Sequence, residues 1–176
     1  AYPMDEKLAY PAFLESEITQ PREEDARFHV IPAPYEKSVS YGTGTSAGPS
    51  AILTASQQLE LFDGTGIPAE AGIYTHPPVN CSGSHENAIA GITGTVGHVL
   101  DMGECPVLIG GEHTVTIGAF QALDRQQERC GIVQFDAHAD LRNTYQDSLF
   151  SHACTMRRAL DMGLPILQIG VRSMSP

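Results

Sequence analysis

The sequence has few basic residues: 10 Lys and Arg stand against 21 Asp and Glu, which gives a formal net charge of -11. A chain with this charge repels nucleic acid phosphates and anionic lipid surfaces unless a basic patch overrides it. The longest basic cluster is the pair Arg157 and Arg158. No apolar run approaches the roughly 18 residues that a membrane span needs. We therefore expect no nucleic acid partner and no membrane-spanning segment.

Paired cysteines and a secretory signal are also missing. The four cysteines stand singly, with no C-x-x-C pair: Cys81, Cys105, Cys130 and Cys154. This spacing favours reduced structural thiols over a disulfide framework or a thiolate zinc site. Residues 1–14 have no basic start followed by an apolar block, which a secretory signal requires. These absences predict a cytoplasmic protein.

Motifs for nucleotide binding and for serine or cysteine catalysis are absent or out of context. Residues 42–47 match the G-x-G-x-x-A pattern literally, but the nearest strand pattern ends well before Gly42. The chain has neither a Walker motif nor a G-x-S-x-G elbow. Cys154 follows His152 by two positions, too close for a papain-like pair. We therefore expect neither nucleotide binding nor catalysis by a serine or cysteine nucleophile.

The sequence does contain short β-branched apolar runs that alternate with longer segments of helical spacing. The predicted strands are 28–31, 72–75, 106–109, 131–135 and 166–169. This alternation is typical of βαβ units, so the predicted class is α/β with a parallel sheet. In the segment between the second and third strands, Gly91, Gly94 and Gly97 recur every three residues. We expect this glycine ridge to pack closely against a neighbour, which would offset its cost in helix propensity.

Three ligand-type side chains directly follow the strand predicted at 131–135. Asp136, His138 and Asp140 alternate with alanine, so an extended chain would point all three in one direction. Two carboxylates and an imidazole in one small volume are costly unless a cation lies between them. Metal binding is therefore the favoured interpretation. The alternative is a loop whose polar side chains only cap the following helix.

A second cluster, Gly110-Gly111-Glu112-His113, follows the strand predicted at 106–109. Ligands of open parallel sheets bind outside the carboxyl ends of the strands, so His113 shares the expected location of Asp136 to Asp140 if the two strands are neighbours. Glu112 stands where a carboxylate favours a helix N-terminus, and we interpret it as a cap rather than as a reacting group.

The combined donor set contains imidazole and carboxylate groups but no thiolate. It consists of His113, Asp136, His138 and Asp140. Such a set is more suitable for manganese than for a structural zinc ion, which is usually held by thiolates. Two metal ions roughly 3.5 to 4 Å apart, bridged by one carboxylate, would lower the pKa of a shared water.

Four segments carry motifs with a distinctive order and spacing: Gly110 to His113, Asp136 to Asp140, Ser151 to Ala159 and Gln168 to Ser173. In these segments the chain resembles the ureohydrolase family of arginases and agmatinases, most closely the agmatinase branch. The similarity also covers residues 30–63. We accordingly expect residues 1–25 to form an N-terminal extension and residues 26–176 to form the N-terminal portion of a ureohydrolase domain.

The resemblance implies a three-layer αβα fold with a parallel sheet and a homo-oligomer. It also implies two manganese ions, with His113, Asp136 and Asp140 holding one, Asp136 and His138 holding the other, and Asp136 bridging them. A metal-bound hydroxide would attack the guanidinium carbon of the substrate, releasing urea and an amine. His152 aligns with a histidine that moves protons as the amine departs. Asp136 and His152 are therefore the expected catalytic residues.

The chain departs from the family in one large respect. The family continues into a second half with an Asp-x-Asp pair and a glutamate that holds the guanidinium group, and this sequence contains no counterpart of either. We therefore expect the C-terminal part of the sheet to be missing here. We also expect this chain alone to have a lower metal affinity and a lower turnover than a complete family member. A non-catalytic, metal-poor fragment is the alternative outside enzymes. Either form would expose a sheet edge and apolar surface, which predicts aggregation or pairing with another chain.

The substrate is predicted from one position. Arginases carry an Asn two residues after the last Asp of the ligand motif, and this chain has Arg142 there. That difference disfavours arginine and favours agmatine, whose hydrolysis gives putrescine and urea. Guanidinobutyrate stays open because Arg142 could bind its carboxylate, and formiminoglutamase chemistry stays open on the same scaffold.

Overall fold

The computed structural model describes residues 10–126 and 130–174, and the first nine residues of the predicted N-terminal extension lie outside this part. The strands are β1 Phe28–Ala33, β2 Ile73–Thr75, β3 Cys105–Gly110, β4 Ile132–Phe135 and β5 Ile166–Ile169. The helices are α1 Gly48–Ala55, α2 His85–Asp101, α3 Val115–Arg125 and α4 Thr155–Asp161. All five predicted strands are confirmed within one or two residues at each end. None of the described helices combines the length and the apolar character needed to cross a membrane.

The strands are parallel, but they form two separate sheets. One has the order β2-β1-β3, with β1 and β3 in register from Phe28 opposite Cys105 to Ala33 opposite Gly110. The other pairs β4 with β5, from Ile132 opposite Ile166 to Phe135 opposite Ile169. Among the described residues, no strand joins the two sheets.

Strand β1 continues through Pro32, where the sequence pattern predicts its end. In β1, the carbonyl of Ala33 faces β3 and accepts from the Gly111 N–H. The carbonyls of Val30 and Pro32 face the β2 side, where they accept from His76 and Val79. The nitrogen of Pro32 also faces that side, where β2 has already ended at Thr75. Because no strand there needs an N–H donor, the proline costs the sheet no hydrogen bond.

Two buried clusters hold the helices against the strands. The first contains Ile31 of β1 together with Ile92 and Val96 of α2. The second joins Phe120 of α3 to Met156 of α4. Helix α3 contributes side chains to both clusters, so it connects the region around β1 to the region around β4 and β5. Each fully buried aliphatic side chain in them contributes about 1.5 to 3 kcal/mol.

The prediction that the glycine ridge packs closely is wrong for two of its three members. A Cβ atom built at Gly94 or Gly97 would meet no atom within 4 Å, and only at Gly91 would it meet a neighbour closely, the Val79 side chain at 3.1 Å. The close approach of α2 and α3 instead occurs at Gly118, where a Cβ atom would lie 2.7 Å from Ile92. Periodicity locates a small residue on a helix face but does not show which face contacts the neighbouring helix.

We expect Gly118→Ala to lower the free energy of unfolding by about 1 to 3 kcal/mol, because the methyl group overlaps Ile92 in the α2–α3 contact. The control Gly94→Ala adds the same methyl group to open space within a helix and should raise that free energy by about 0.5 to 1 kcal/mol. Urea unfolding monitored by circular dichroism measures both. Equal effects of the two substitutions would contradict this packing.

The outer face of β4 and β5 is apolar and exposed. Phe135 is 79% exposed, Leu167 is 58% exposed and Val133 is 57% exposed. The expectation of exposed apolar surface is thus met on these strands. Aggregation or pairing with another chain stays a prediction, which size-exclusion chromatography tests.

Candidate metal centre

The two ligand-rich clusters lie at the carboxyl ends of β3 and β4. These strands belong to different sheets, so the clusters meet although their strands are not hydrogen-bonded neighbours. The Nδ1 atom of His113 lies 2.8 Å from Oδ2 of Asp140. His113, Asp136 and Asp140 each offer one ligand atom, and the three atoms lie within 4.8 Å of one another. We call these three residues, together with His138, the candidate metal centre.

The chain does not stay extended from Asp136 to Asp140. It bends at Ala137, and Asp140 has a φ of 50°, in the left-handed region that non-glycine residues rarely adopt. This backbone turns Asp140 toward His113. The expected alternation therefore does not produce the convergence, which depends on a loop conformation that costs energy and that is concentrated at functional sites.

Asp136 is held in its ionised form. Burial opposes ionisation, but the backbone N–H of His138 donates to Asp136 Oδ1 at 2.8 Å and the nearby His113 adds a further favourable interaction. These contacts outweigh burial, so the pKa of Asp136 lies below its usual value. A carboxylate that is ionised at neutral pH can bind a cation without first losing a proton.

His138 lies at the edge of the centre. Its ring Nδ1 is 3.3 Å from Asp136 Oδ1, and its side chain is largely exposed. Its backbone pairs with Ser173 in an isolated parallel bridge after β5. The imidazole is therefore within reach of the Asp136 carboxylate but outside the compact group of three.

His152 is oriented by two serine hydroxyls. Ser38 Oγ lies 3.2 Å from Nδ1 of His152, and Ser40 Oγ lies 3.1 Å from Nε2. The ring of Tyr145 packs edge-on against the imidazole. Both ring nitrogens thus have a partner that can donate or accept a hydrogen bond. Sequence reasoning missed Ser38 and Ser40, because serines in a loop give no signal until the loop is placed beside His152.

Glu112 does not cap a helix, which corrects the interpretation from sequence. Its carboxylate is almost fully buried and accepts from the backbone N–H groups of Lys37 and Ser38 and from Ser38 Oγ at 2.9 Å. The helix α3 that follows has no side-chain cap. Glu112 therefore fixes the loop that carries Ser38 and, through it, the position of His152.

We expect Glu112→Gln to lower the free energy of unfolding by about 1.5 to 3 kcal/mol, because the amide nitrogen of glutamine would face donors instead of accepting from them. The matched control is Glu60→Gln, since Glu60 is exposed. Urea denaturation of both variants measures the difference. A loss no larger than that of Glu60→Gln would show that Glu112 does not hold the loop.

The centre opens into a cavity of about 940 Å³. All five residues predicted for the site line it: His113, Asp136, His138, Asp140 and His152. Arg142 also lines the cavity, with its guanidinium 5.4 Å from the centre of the Tyr145 ring. The donor set of carboxylates and imidazoles, converging without thiolates, fits a divalent cation such as manganese. The cavity has room for a small substrate beside that ion.

The family model described as the arginase family matches residues 26–176. The chain is 41% identical over 171 residues to an N(1)-aminopropylagmatine ureohydrolase from Synechocystis sp., covering 92% of this chain and 55% of that protein. It is 35% identical over 153 residues to an agmatinase from Pyrococcus horikoshii, covering 85% of this chain and 53% of that protein. The chain spans about half the length of these relatives.

Solved structures give the same result. The agmatine ureohydrolase of Thermoplasma volcanium superposes with a TM-score of 0.79 at 32% identity, covering 86% of this chain and 52% of that one. This similarity confirms the predicted αβα arrangement with parallel strands. A match over residues 26–176 by the family model, supported by both relatives, leads to one conclusion: the chain belongs to the arginase family.

Proposed function

We propose that this chain forms part of a ureohydrolase that splits agmatine into putrescine and urea. The convergence of His113, Asp136 and Asp140 in one cavity is the observation that carries the proposal. His113, Asp136 and Asp140 would hold one manganese ion, and Asp136 and His138 would hold a second. When bound, the ions supply an activated water for attack on the guanidinium carbon.

The protein side chains would supply orientation and proton transfer. His152 would give a proton to the departing amine from its ring, and the hydroxyls of Ser38 and Ser40 would keep that ring in place. The ionised carboxylate of Asp136 would bind the cations of the centre without first losing a proton. Arg142 in the cavity wall would pair with the carboxylate of guanidinobutyrate, the alternative substrate.

A second substrate, N(1)-aminopropylagmatine, is favoured by the names of relatives such as the Synechocystis protein. It has the same guanidinium group as agmatine, so the same metal centre would serve both. The difference would lie along the cavity walls, which must accept a longer cationic chain. The proposal also includes a homo-oligomer, a cytoplasmic location and a ureohydrolase domain that begins near residue 26.

The test is urea release with added manganese from agmatine, N(1)-aminopropylagmatine and guanidinobutyrate, together with formamide release from formiminoglutamate. It is run on this chain and on the longest natural polypeptide that contains it, each with an Asp136→Asn control. We expect the longer polypeptide to release urea from agmatine or its aminopropyl derivative, and the control to be inactive. If the longer polypeptide released neither urea nor formamide from any of these substrates, the proposal would be overturned.

A further inference from the structure

A second group of ligand-type side chains lies away from the candidate metal centre, beside the first half of β1. Its members are Glu23, His29 and His76, which we call the histidine–glutamate cluster. Each offers one ligand atom, and these atoms lie within 4.8 Å of one another. His29 is 0% exposed and His76 is 7% exposed. The two imidazoles partner each other, with His29 Nδ1 3.0 Å from His76 Nε2, and a bound ion would replace this hydrogen bond.

His29 is fixed in one tautomer by the backbone. Its Nε2 lies 3.1 Å from the carbonyl oxygen of Ala26, which can only accept, so the ring proton is on Nε2. The lone pair is therefore on Nδ1, which points at Nε2 of His76 at 3.0 Å. An imidazole whose second nitrogen donates to a backbone carbonyl is the usual arrangement of a metal-binding histidine.

His76 completes the pair from the end of β2. Its Nδ1 lies 4.0 Å from Oε1 of Glu23, too far for a hydrogen bond. Burial lowers the pKa of His76 to about 4, against a smaller opposing effect of Glu23, so the ring is neutral at physiological pH. A neutral imidazole is the form that binds metal ions. The ring of Tyr74 packs edge-on against His76 and covers this side of the cluster.

Glu23 provides the charge and the contact with solvent. Its side chain is 35% exposed, and its Oε1 lies 3.0 Å from Nε2 of His98 on α2. The same oxygen lies 4.0 Å from Nδ1 of His76, so it stands between His98 and the buried pair. Glu23 is thus the member of the cluster that is in contact with solvent.

We propose that Glu23, His29 and His76 bind one zinc ion per chain. Two imidazole nitrogens and a carboxylate oxygen are zinc ligands, and tetrahedral bonds of about 2.0 to 2.1 Å place ligand atoms about 3.3 Å apart. The 3.0 Å between His29 Nδ1 and His76 Nε2 is close to that value. Glu23 Oε1 lies 4.0 Å from the other ring nitrogen of His76, Nδ1, so the carboxylate would shift toward Nε2 when the ion binds. The bound ion would join the segment before β1 to β1 and the end of β2. The site is independent of the proposed ureohydrolase activity.

The test measures zinc by equilibrium dialysis and elemental analysis. The background is His113→Asn combined with Asp136→Asn, which removes the candidate metal centre, so retained zinc reports the cluster. We expect one zinc ion per chain in this background. Adding Glu23→Gln should weaken zinc binding by on the order of tenfold or more, because an amide replaces a charged ligand. The matched control is Glu24→Gln, since the neighbouring Glu24 pairs with Arg22 at the surface.

The same comparison is made in the otherwise unaltered chain, in case the background variant does not fold. There Glu23→Gln should weaken the binding of one zinc ion by on the order of tenfold or more, and Glu24→Gln should leave zinc binding unchanged. A zinc-dependent rise in the thermal unfolding midpoint should follow the same pattern. Equal zinc binding by the Glu23→Gln and Glu24→Gln chains would overturn the proposal, and so would a folded background variant that binds no zinc.

Discussion

Asp136→Asn is expected to lower the manganese affinity of the candidate metal centre by on the order of 100-fold. Loss of an outer-shell partner alone costs about 10- to 100-fold, and Asp136 is proposed to contact both ions directly. The substitution removes the negative charge but keeps a side-chain oxygen. That oxygen can still accept the hydrogen bond that the His138 N–H donates to Asp136 Oδ1 at 2.8 Å. Titration followed by electron paramagnetic resonance, which detects free manganese, measures the change.

The matched control is Asp124→Asn, because Asp124 is exposed on α3. This variant should bind manganese as the unaltered chain does. Because the introduced asparagine can keep the local hydrogen bond, metal-free Asp136→Asn should differ from the unaltered chain by less than about 1 kcal/mol in free energy of unfolding. Manganese binding that survives Asp136→Asn would place the ions elsewhere.

Gly111→Ala is expected to lower the free energy of unfolding by about 3 kcal/mol or more. A Cβ atom at this position would overlap the carbonyl oxygen of Tyr35 and would lie 3.1 Å from that of Thr45. Both obstacles are backbone atoms, which cannot rotate away as a side chain can. The loop after β3 would have to move, and it carries Glu112 and His113.

The control for this prediction is Gly97→Ala, where a Cβ atom meets nothing within 4 Å. We expect Gly97→Ala to be neutral or stabilising by up to about 1 kcal/mol. Gly111→Ala should also weaken manganese binding, because displacement of His113 separates it from Asp140, now 2.8 Å away. Urea unfolding and manganese titration of the two variants measure these effects. A Gly111→Ala chain as stable as the Gly97→Ala chain would refute the close approach.

Local patterns predicted the strands well. The runs that became β3 and β5 are short, apolar and β-branched, and their strand character depends mainly on their own residues. The pattern at β1 predicted only residues 28–31 of the strand. Whether Pro32 ends a strand depends on whether a neighbouring strand needs a hydrogen bond from its nitrogen. Helix α1 was not predicted, although Pro49 in its first turn is a recognised start signal.

Residue chemistry identified the components of the candidate site before their geometry was visible. The donor types in Asp136 to Asp140 and the location of His113 after a strand both indicated a cation. The role of Glu112 was interpreted wrongly, because its partners Lys37 and Ser38 are more than 70 residues away in the chain. Contacts of that separation leave no local pattern in a single sequence.

The sequence by itself determined the α/β class, the five strands and the candidate metal-ligand side chains, because each depends on residue type and short-range spacing. Only the tertiary structure decided that the strands form two sheets, that Gly118 rather than the glycine ridge makes the close helix contact, and that His113 meets Asp140. It also brought His29, His76 and Glu23 together. The physical reason is that these outcomes depend on which distant backbone segments pack side by side, and that packing is set by the whole chain.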